Sequence, residues 1–287
     1  KNLGILHLMA APVDIGLAKE EAQEKQDNEV QFYDGIMKSL SEEDRARAEA
    51  DPLDALIIVR GYANEKERME ATIVAMRKIC EWRASVGYYE FFNTRLPGAD
   101  DFYKWWPEQI HGSDKYGHFL QCLRAADVDA DSLEKMDPVM VEKLQGQKMR
   151  AYTEHKKRMI AETGVQRYKH SLVVDLQSAP LSLTRSAKRA LLKRIFDVGT
   201  HYYPETMWKI YLVNTPMLFR AVWTIVKPWL HPATAAKVNL LGGYSAAMAQ
   251  MEADGIKKDQ IPHWMGGGSQ GMVTKDFVDK LLVENGI

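Results

Sequence analysis

From Glu65 to Tyr88 the apolar positions Met69, Ile73, Met76, Ile79, Cys80 and Trp82 recur three and four residues apart. That is the period of a helix with one buried face, and charged residues occupy the opposite face. Gly87 supplies its stop, since glycine enters the left-handed region without steric cost. Earlier, residues 1–50 mix an apolar patch (Leu3 to Met9) with charge (Lys19 to Asp27) and read as an arm or as loosely packed helices. The pattern therefore predicts an arm over 1–50 and an α-helical lobe over 51–96. After Pro97 the texture changes to short strand-like runs: His118 to Leu123, His170 to Leu176, Lys209 to Val213 and Lys237 to Leu241. Between them lie helices starting near Asp137-Pro138, from Thr184 to His201, and from Met217 to Trp229. Runs such as Leu172-Val173-Val174 are apolar on both faces, which suits an inner sheet covered by helices. An α/β domain over 97–270 and a C-terminal helix or tail over 271–287 follow.

The segment from Met217 to Trp229 is apolar nearly all round. Only Arg220, Thr224 and Lys227 are polar, and their spacing puts them in one narrow stripe. Two readings fit: a core helix with one solvated edge, or a lid that faces an apolar ligand on one side and a membrane on the other when open. Pro228 and Pro232 punctuate it and would place a hinge at Leu230-His231.

Lysine plus arginine (38) nearly balances aspartate plus glutamate (39), so no basic footprint for nucleic acid is present. Cys80 and Cys122 form no CxxC pair, which argues against a disulfide scaffold or a cysteine zinc site and favours a reducing compartment. His111 and His118 lack partners at metal-ligand spacing and read as structural or exposed. The first residue is Lys1, which leaves room for a removed targeting segment. Gly266 to Gly271 fits the GxGxxG string, but a poor strand precedes it and only 16 residues follow; it reads as a flexible loop. Gly242-Gly243-Tyr244-Ser245-Ala246 lacks the closing glycine of a nucleophile elbow. These signals point away from an enzyme and from any metal.

The run from Tyr202-Tyr203-Pro204-Glu205-Thr206 to Tyr211-Leu212-Val213-Asn214-Thr215-Pro216 resembles the CRAL-TRIO signature. The likeness continues through Phe219, Lys227-Pro228-Trp229-Leu230, Pro232, Thr234 and Lys237 to Leu240-Leu241-Gly242. Asp114-Lys115-Tyr116-Gly117 is similar to the family's turn before its first strand, and Asp175-Leu176 to the acidic end of another strand. Ile261 to Gly267 resembles the closing proline-to-diglycine segment, and Glu81-Trp82-Arg83 the end of the helical lobe. Arg60 stands for an arginine of the family, whereas Gly61-Tyr62-Ala63 departs from its pattern.

The resemblance implies the CRAL-TRIO lipid-binding fold: a mainly parallel sheet flooring an apolar cavity, a helical gate, and an N-terminal helical lobe. The gate side chains would include Phe219, Val222, Trp223, Val226 and Trp229. In the branch of phosphatidylinositol/phosphatidylcholine transfer proteins, residues at the positions of Glu205, Thr234 and Lys237 hold the inositol-phosphate headgroup, and all three types are present. The implied function is soluble lipid exchange or presentation. The chain is expected as a cytoplasmic monomer that visits membrane surfaces, with a bound phospholipid and no other cofactor. Alternatives are a carrier of a sterol, tocopherol or retinoid, and a non-transfer regulatory module. Relatives that also carry phosphatidylcholine resemble one another in a serine and a threonine before the aspartate and a tyrosine on the first strand. Here His170, Leu172 and Phe119 take those positions, unless a one-residue slip brings Ser171 into the first. This second-lipid subsite predicts that phosphatidylcholine binds poorly and that a less polar lipid shares the pocket, with His170 offered to a single hydroxyl or carbonyl.

Overall fold

Four helices build the N-terminal lobe in a computed structural model that describes residues 21, 23–179, 186–217 and 219–287. They are α1 (Asp27–Ser39), α2 (Glu42–Ala50), α3 (Pro52–Gly61) and α4 (Arg68–Val86). Ser41 caps α2 by accepting from the Asp44 N–H, and Gly87 ends α4 at φ 69°. Ile36, Leu40 and Ala48 share one core with Ile58, Val59, Met76 and Ile79. Residues 27–50 are therefore packed helices and not an arm. The reason is burial: the apolar faces of α3 and α4 need cover, and α1 supplies it. Arg60 fastens α1 in place, pairing with Glu29 at 2.9 Å and donating to the carbonyls of Gln23 and Glu24. The expected arm over residues 1–20 lies outside the described residues.

The second unit is a sheet of six strands in the order β5-β4-β3-β2-β1-β6. They are β1 (Gln109–Ser113), β2 (Phe119–Arg124), β3 (His170–Asp175), β4 (Met207–Val213), β5 (Val238–Leu240) and β6 (Met272–Val273). Strands β2 to β5 run parallel, while β1 is antiparallel to both β2 and β6. The four strands expected from the sequence are the four parallel ones. The polar Gln109-Ile110-His111-Gly112-Ser113 and the two-residue β6 carry too little apolar pattern to announce themselves.

One face of the sheet is closed by packing. Leu120, Cys122, Val173, Tyr211 and Val213 meet Ala247 and Met251 of a helix over Tyr244–Ala253, together with Ile256, Ile261 and Met265. The glycine string beyond Ile261 is not flexible. Gly267 donates to the Pro262 carbonyl, and a Cβ on it would lie 2.1 Å from the Ile261 oxygen, so only glycine fits that turn. The other face is crossed by a long helix over Pro138–Thr163, here α7, which follows the short α5 (Ala99–Trp105) and α6 (Ala130–Leu133). Asp137 caps α7, Pro138 opens it, and Gly164 closes it at φ 68°. The tail helix (Thr274–Glu284) buries Phe277, Val278, Leu281 and Leu282 in the same core as α7.

A buried ion cluster ties the residues before α1 to this sheet. His118 is fully buried between Asp114 (Nδ1 to Oδ2, 2.9 Å) and Glu21 (Nε2 to Oε2, 2.6 Å), and stacks on Trp208. Glu21 also accepts from the backbone N–H groups of Tyr168 and Lys169. Burial alone would strip the proton from His118, but the two carboxylates outweigh it, and its pKa rises above the ordinary 6.5. Burial likewise opposes the charge on Glu21, yet the His118 bond and charge, with Lys169, hold its pKa below 4.5. His118 is thus a structural imidazolium.

The sign of the pH dependence follows. A proton held more tightly in the folded state stabilises fully below about 6.5, and that contribution is lost as pH rises through the folded pKa. The Glu21 contribution is present above about 4.5 and lost as pH falls. Docking of the segment around Glu21 should be tightest between these limits. Its alkaline loosening should disappear in His118→Gln. Emission from Trp208, isolated by difference against Trp208→Phe, is expected to report the deprotonation; an alkaline limb of unchanged size in His118→Gln would show that another group titrates.

Candidate functional site

Strand alternation leaves the second sheet face open toward a cavity of about 370 Å³. Leu123, Leu172, Val174, Ile210, Leu212 and Val238 floor it, each two residues from the next inward position on its strand. One wall is a helix over Ser186–Asp197 (α8), which contributes Leu192, Ile195 and Phe196 and continues through a π-helical turn over Val198–Tyr202. The cavity lies within the range of small-molecule and lipid sites and is lined mostly by apolar side chains.

The opposite wall is the apolar segment singled out in the sequence. It forms a helix over Phe219–Val226 (α9) and a 3₁₀ turn over Lys227–Trp229. Phe219, Trp223, Val226 and Trp229 all line the cavity. The side chain of Val222 lies outside the described residues. None of the described side chains from 219 to 229 is fully buried; Met217 faces solvent, and Ile225 lines the cavity while 39% exposed. The core-helix reading does not fit these exposures. Beyond it, His231 caps a short helix over Pro232–Ala235 (α10). Its ring lies 5.8 Å from Tyr62, and Nε2 stands 3.3 Å from Glu65. His231, where the sequence places a hinge, therefore meets the lobe at the Tyr62 that departs from the family pattern.

Glu205, Thr234 and Lys237 gather at the rim. Glu205 enters β4 in the left-handed conformation, φ 53°, a costly state for a residue with a side chain. Gly61 packs over it, with space for a Cβ only 3.4 Å from the Glu205 Cβ. The Glu205 carboxylate meets Lys237 at 3.3 Å and Lys169 at 2.5 Å, and Lys237 also donates to the Met207 carbonyl. Glu205 and Thr234 line the cavity, and Lys237 lies just behind Glu205. Burial works against the Glu205 charge, but Lys169 and then Lys237 outweigh it and lower its pKa. Lys237 is pushed the other way: burial first, then Lys169, lower its pKa against the pull of Glu205. Two ammonium groups thus share one carboxylate, leaving a net positive site. Lys169 was missed in the sequence because a single lysine before a strand carries no periodic signal.

The second-lipid subsite is corrected by the structure. Leu172 does line the cavity, but Phe119 and His170 do not. They share its strand face by parity, yet sit at the strand starts, where α7 covers them. Their rings stack at 4.8 Å beneath Tyr152. Burial, and then Lys156, drive the His170 pKa well down, so it is neutral. Its Nε2 donates to Gln121 Oε1 at 2.9 Å. No lipid hydroxyl reaches it in this arrangement.

What the cavity meets instead is a polar group around Glu108. Its carboxylate accepts from Trp106 Nε1 (2.6 Å) and Gln121 Nε2 (2.8 Å) and pairs with the fully buried Lys148 at 2.6 Å. Tyr152 adds its hydroxyl at 3.2 Å. Lys148 and Tyr152 are four residues apart on α7, so both point down onto Glu108, while Gln145 and Met149 face the cavity. No group of metal-ligating side chains occurs among the described residues, and both cysteines are free and buried. No described helix is long and apolar enough to cross a membrane.

Residues 105–267 match the family model described as the CRAL/TRIO domain. A phosphatidylinositol/phosphatidylcholine transfer protein of Arabidopsis thaliana, SFH12, is 25% identical over 75% of this chain and 39% of its own length. The Sec14 cytosolic factor of Schizosaccharomyces pombe is 22% identical over 76% of each chain. Among solved structures, the crystal structure of Sfh5 matches 77% of this chain and 82% of its own with 13% identity and a TM-score of 0.49. The chain spans between 31% and 39% of the length of the first three curated relatives.

The face assignment predicts opposite outcomes for neighbouring residues of β3. Val174→Trp should project into open cavity and fold with a loss under about 1.5 kcal/mol. Val173→Trp must overpack the closed face against Met251 and should cost more than about 3 kcal/mol. Urea unfolding distinguishes them. Equal losses would mean that the two faces are wrongly assigned.

Proposed function

Because the chain belongs to the CRAL/TRIO domain family, we propose that it exchanges or presents phosphatidylinositol and a second, less polar lipid at membrane surfaces. One observation carries this reading: the net positive Lys169–Glu205–Lys237 site stands at the rim of an apolar cavity. An inositol phosphate supplies the anion that two lysines around one carboxylate lack, and its hydroxyls donate to Glu205. Thr234, on the cavity side of α10, offers a further hydroxyl. The acyl chains then lie over Leu172, Val174, Ile210 and Leu212, under the lid.

The energetics explain the lid. Burying acyl chain is worth about 0.8 kcal/mol per CH₂, so a lipid with ~30 methylenes would need over ~20 kcal/mol to leave a bilayer unaided. A cavity offering equal cover while α9 rests in the membrane removes most of that barrier. No bond is made or broken, so the residues bind and do not catalyse. The solvent-facing Met217 is the apolar group there that a bilayer would meet first. The protein acts in this reading as a cytosolic monomer that visits membranes transiently. The relatives named above as phosphatidylinositol/phosphatidylcholine transfer proteins and as a cytosolic factor support it.

Lys237→Ala should reduce phosphatidylinositol transfer between vesicles roughly tenfold to a hundredfold. That corresponds to one charge-assisted contact of about 1.5–3 kcal/mol. Lys169 still partners Glu205, so the fold should persist by circular dichroism. Normal transfer by the folded variant would remove the headgroup assignment. A disulfide pinning α9 to the sheet should stop exchange, and exchange at the reduced rate in the oxidised form would rule the lid out.

A further inference from the structure

We infer that the cavity has a second polar subsite, formed by Gln145, Gln121 and Glu108, that takes the hydroxyl of a neutral lipid. Gln145 is 5% exposed, lines the cavity, and its amide oxygen has no hydrogen-bond partner among the described residues. Buried amide oxygens are seldom left unpaired, and a soft terminal torsion lets this amide turn either its oxygen or its nitrogen to the cavity. Its neighbours restrict what it can receive. The side-chain N–H groups of Trp106 and Gln121 are directed at Glu108, and Gln121 Oε1 accepts from His170. Lys148 is fully buried behind Glu108 and does not line the cavity, and the cavity-lining Arg189 stands on the α8 wall. A phosphate at this subsite would face the Glu108 carboxylate. A hydroxyl both donates and accepts, carries no charge, and so complements an amide beside a carboxylate.

The register gives the separation from the lysine site. Gln121 aligns with Leu172, Leu172 with Ile210, and Ile210 with Val238, the residue after Lys237. At 4.7–4.9 Å per strand, roughly 14 Å of apolar floor lies between Gln121 and the Lys237 end of the lysine site. A lipid filling that floor with its only polar group at the Gln145 end would leave the lysines unused. It would therefore compete for the apolar floor with the phosphoinositide of the proposed function, on which this inference rests for the identity of the cavity as a lipid site.

Two skeletons carry this chemistry, a sterol and a diacylglycerol. The test uses the full delipidated chain with cholesterol, 1,2-dioleoylglycerol and the O-methyl ether of each, with binding read by quenching of tryptophan emission. For at least one skeleton the free alcohol should bind about tenfold tighter than its ether, the worth of one hydrogen bond made and one clash avoided. The skeleton showing that ratio identifies the source. In Gln145→Leu and Gln145→Met the ratio should fall to near one. Because the ratio is taken within each variant, partial unfolding lowers both affinities and does not imitate the result. A ratio near one for both skeletons in the unaltered protein, or a ratio unchanged in both variants, overturns the inference. Phosphatidylinositol vesicles run in parallel separate the two failures: phosphatidylinositol binding without alcohol preference sinks only this subsite, and alcohol preference without phosphatidylinositol binding sinks only the headgroup reading.

Discussion

An apolar cavity must be kept open on one face of a sheet whose other face is closed by packing. At about 24 cal/mol per Å³, a void of about 370 Å³ left unfilled costs roughly 9 kcal/mol. That is comparable to the entire stability of an ordinary domain. Water is a poor filler, because the floor offers it almost no partners. The cavity must therefore hold an apolar guest or be reduced by collapse of a movable wall. The sheet cannot yield, since its far face is locked by Val173, Tyr211 and Val213 against Met251 and Met265. Helix α9, with none of its described side chains fully buried, is the least anchored of the described walls.

Holding the other walls apart falls to polar groups that ordinary cores avoid. Lys148 and Glu108 are a fully desolvated pair, and such pairs rarely add net stability over apolar packing. They do fix geometry. The pair sets α7 at one distance from the edge between β1 and β2, and Tyr152 and Trp106 converge on the same carboxylate. An apolar replacement could slide into the cavity and narrow it; an ion pair with three further converging donors cannot. At the rim, Glu205 between Lys169 and Lys237 serves the same purpose for β3, β4 and β5.

Much of this was legible in the residues. The parallel strands showed themselves because Leu172 to Val174 and Ile210 to Val213 are apolar on both faces, and the lid because only three polar residues interrupt it. Glu205, Thr234 and Lys237 emerged through resemblance, and the structure brings them together. The misreadings have physical causes. Strand parity placed His170 correctly on the cavity face but could not show that α7 covers the start of β3. Gln145 and Lys148 lie on a helix that reads as charged throughout, and nothing in one-dimensional spacing separates a buried lysine from a solvated one. Residues 27–50 looked loose because α2 is nearly all charge, yet the few apolar positions at Ile36, Leu40 and Ala48 suffice to complete the lobe core.

The placement of the lysine site also explains why the GxGxxG string is silent. Open parallel sheets ordinarily bind ligands outside the carboxyl ends of their strands. Here that end is stitched shut: Asp175 accepts from Asn214 Nδ2 at 2.8 Å and from the Tyr244 hydroxyl at 2.7 Å, and Asn214 N–H donates to the Gly242 carbonyl. The cationic site lies instead at the amino ends, where Lys169 and Lys237 immediately precede β3 and β5 and Glu205 lies two residues before β4. The chain reaches those ends along the lobe side of the sheet, so Gly61, Tyr62 and Glu21 can all touch them. Glu21 holds the Lys169 backbone while Glu205 holds its ammonium group. Lys169 is thus held from two sides, which joins Glu21 to the cavity rim at one edge of the fold.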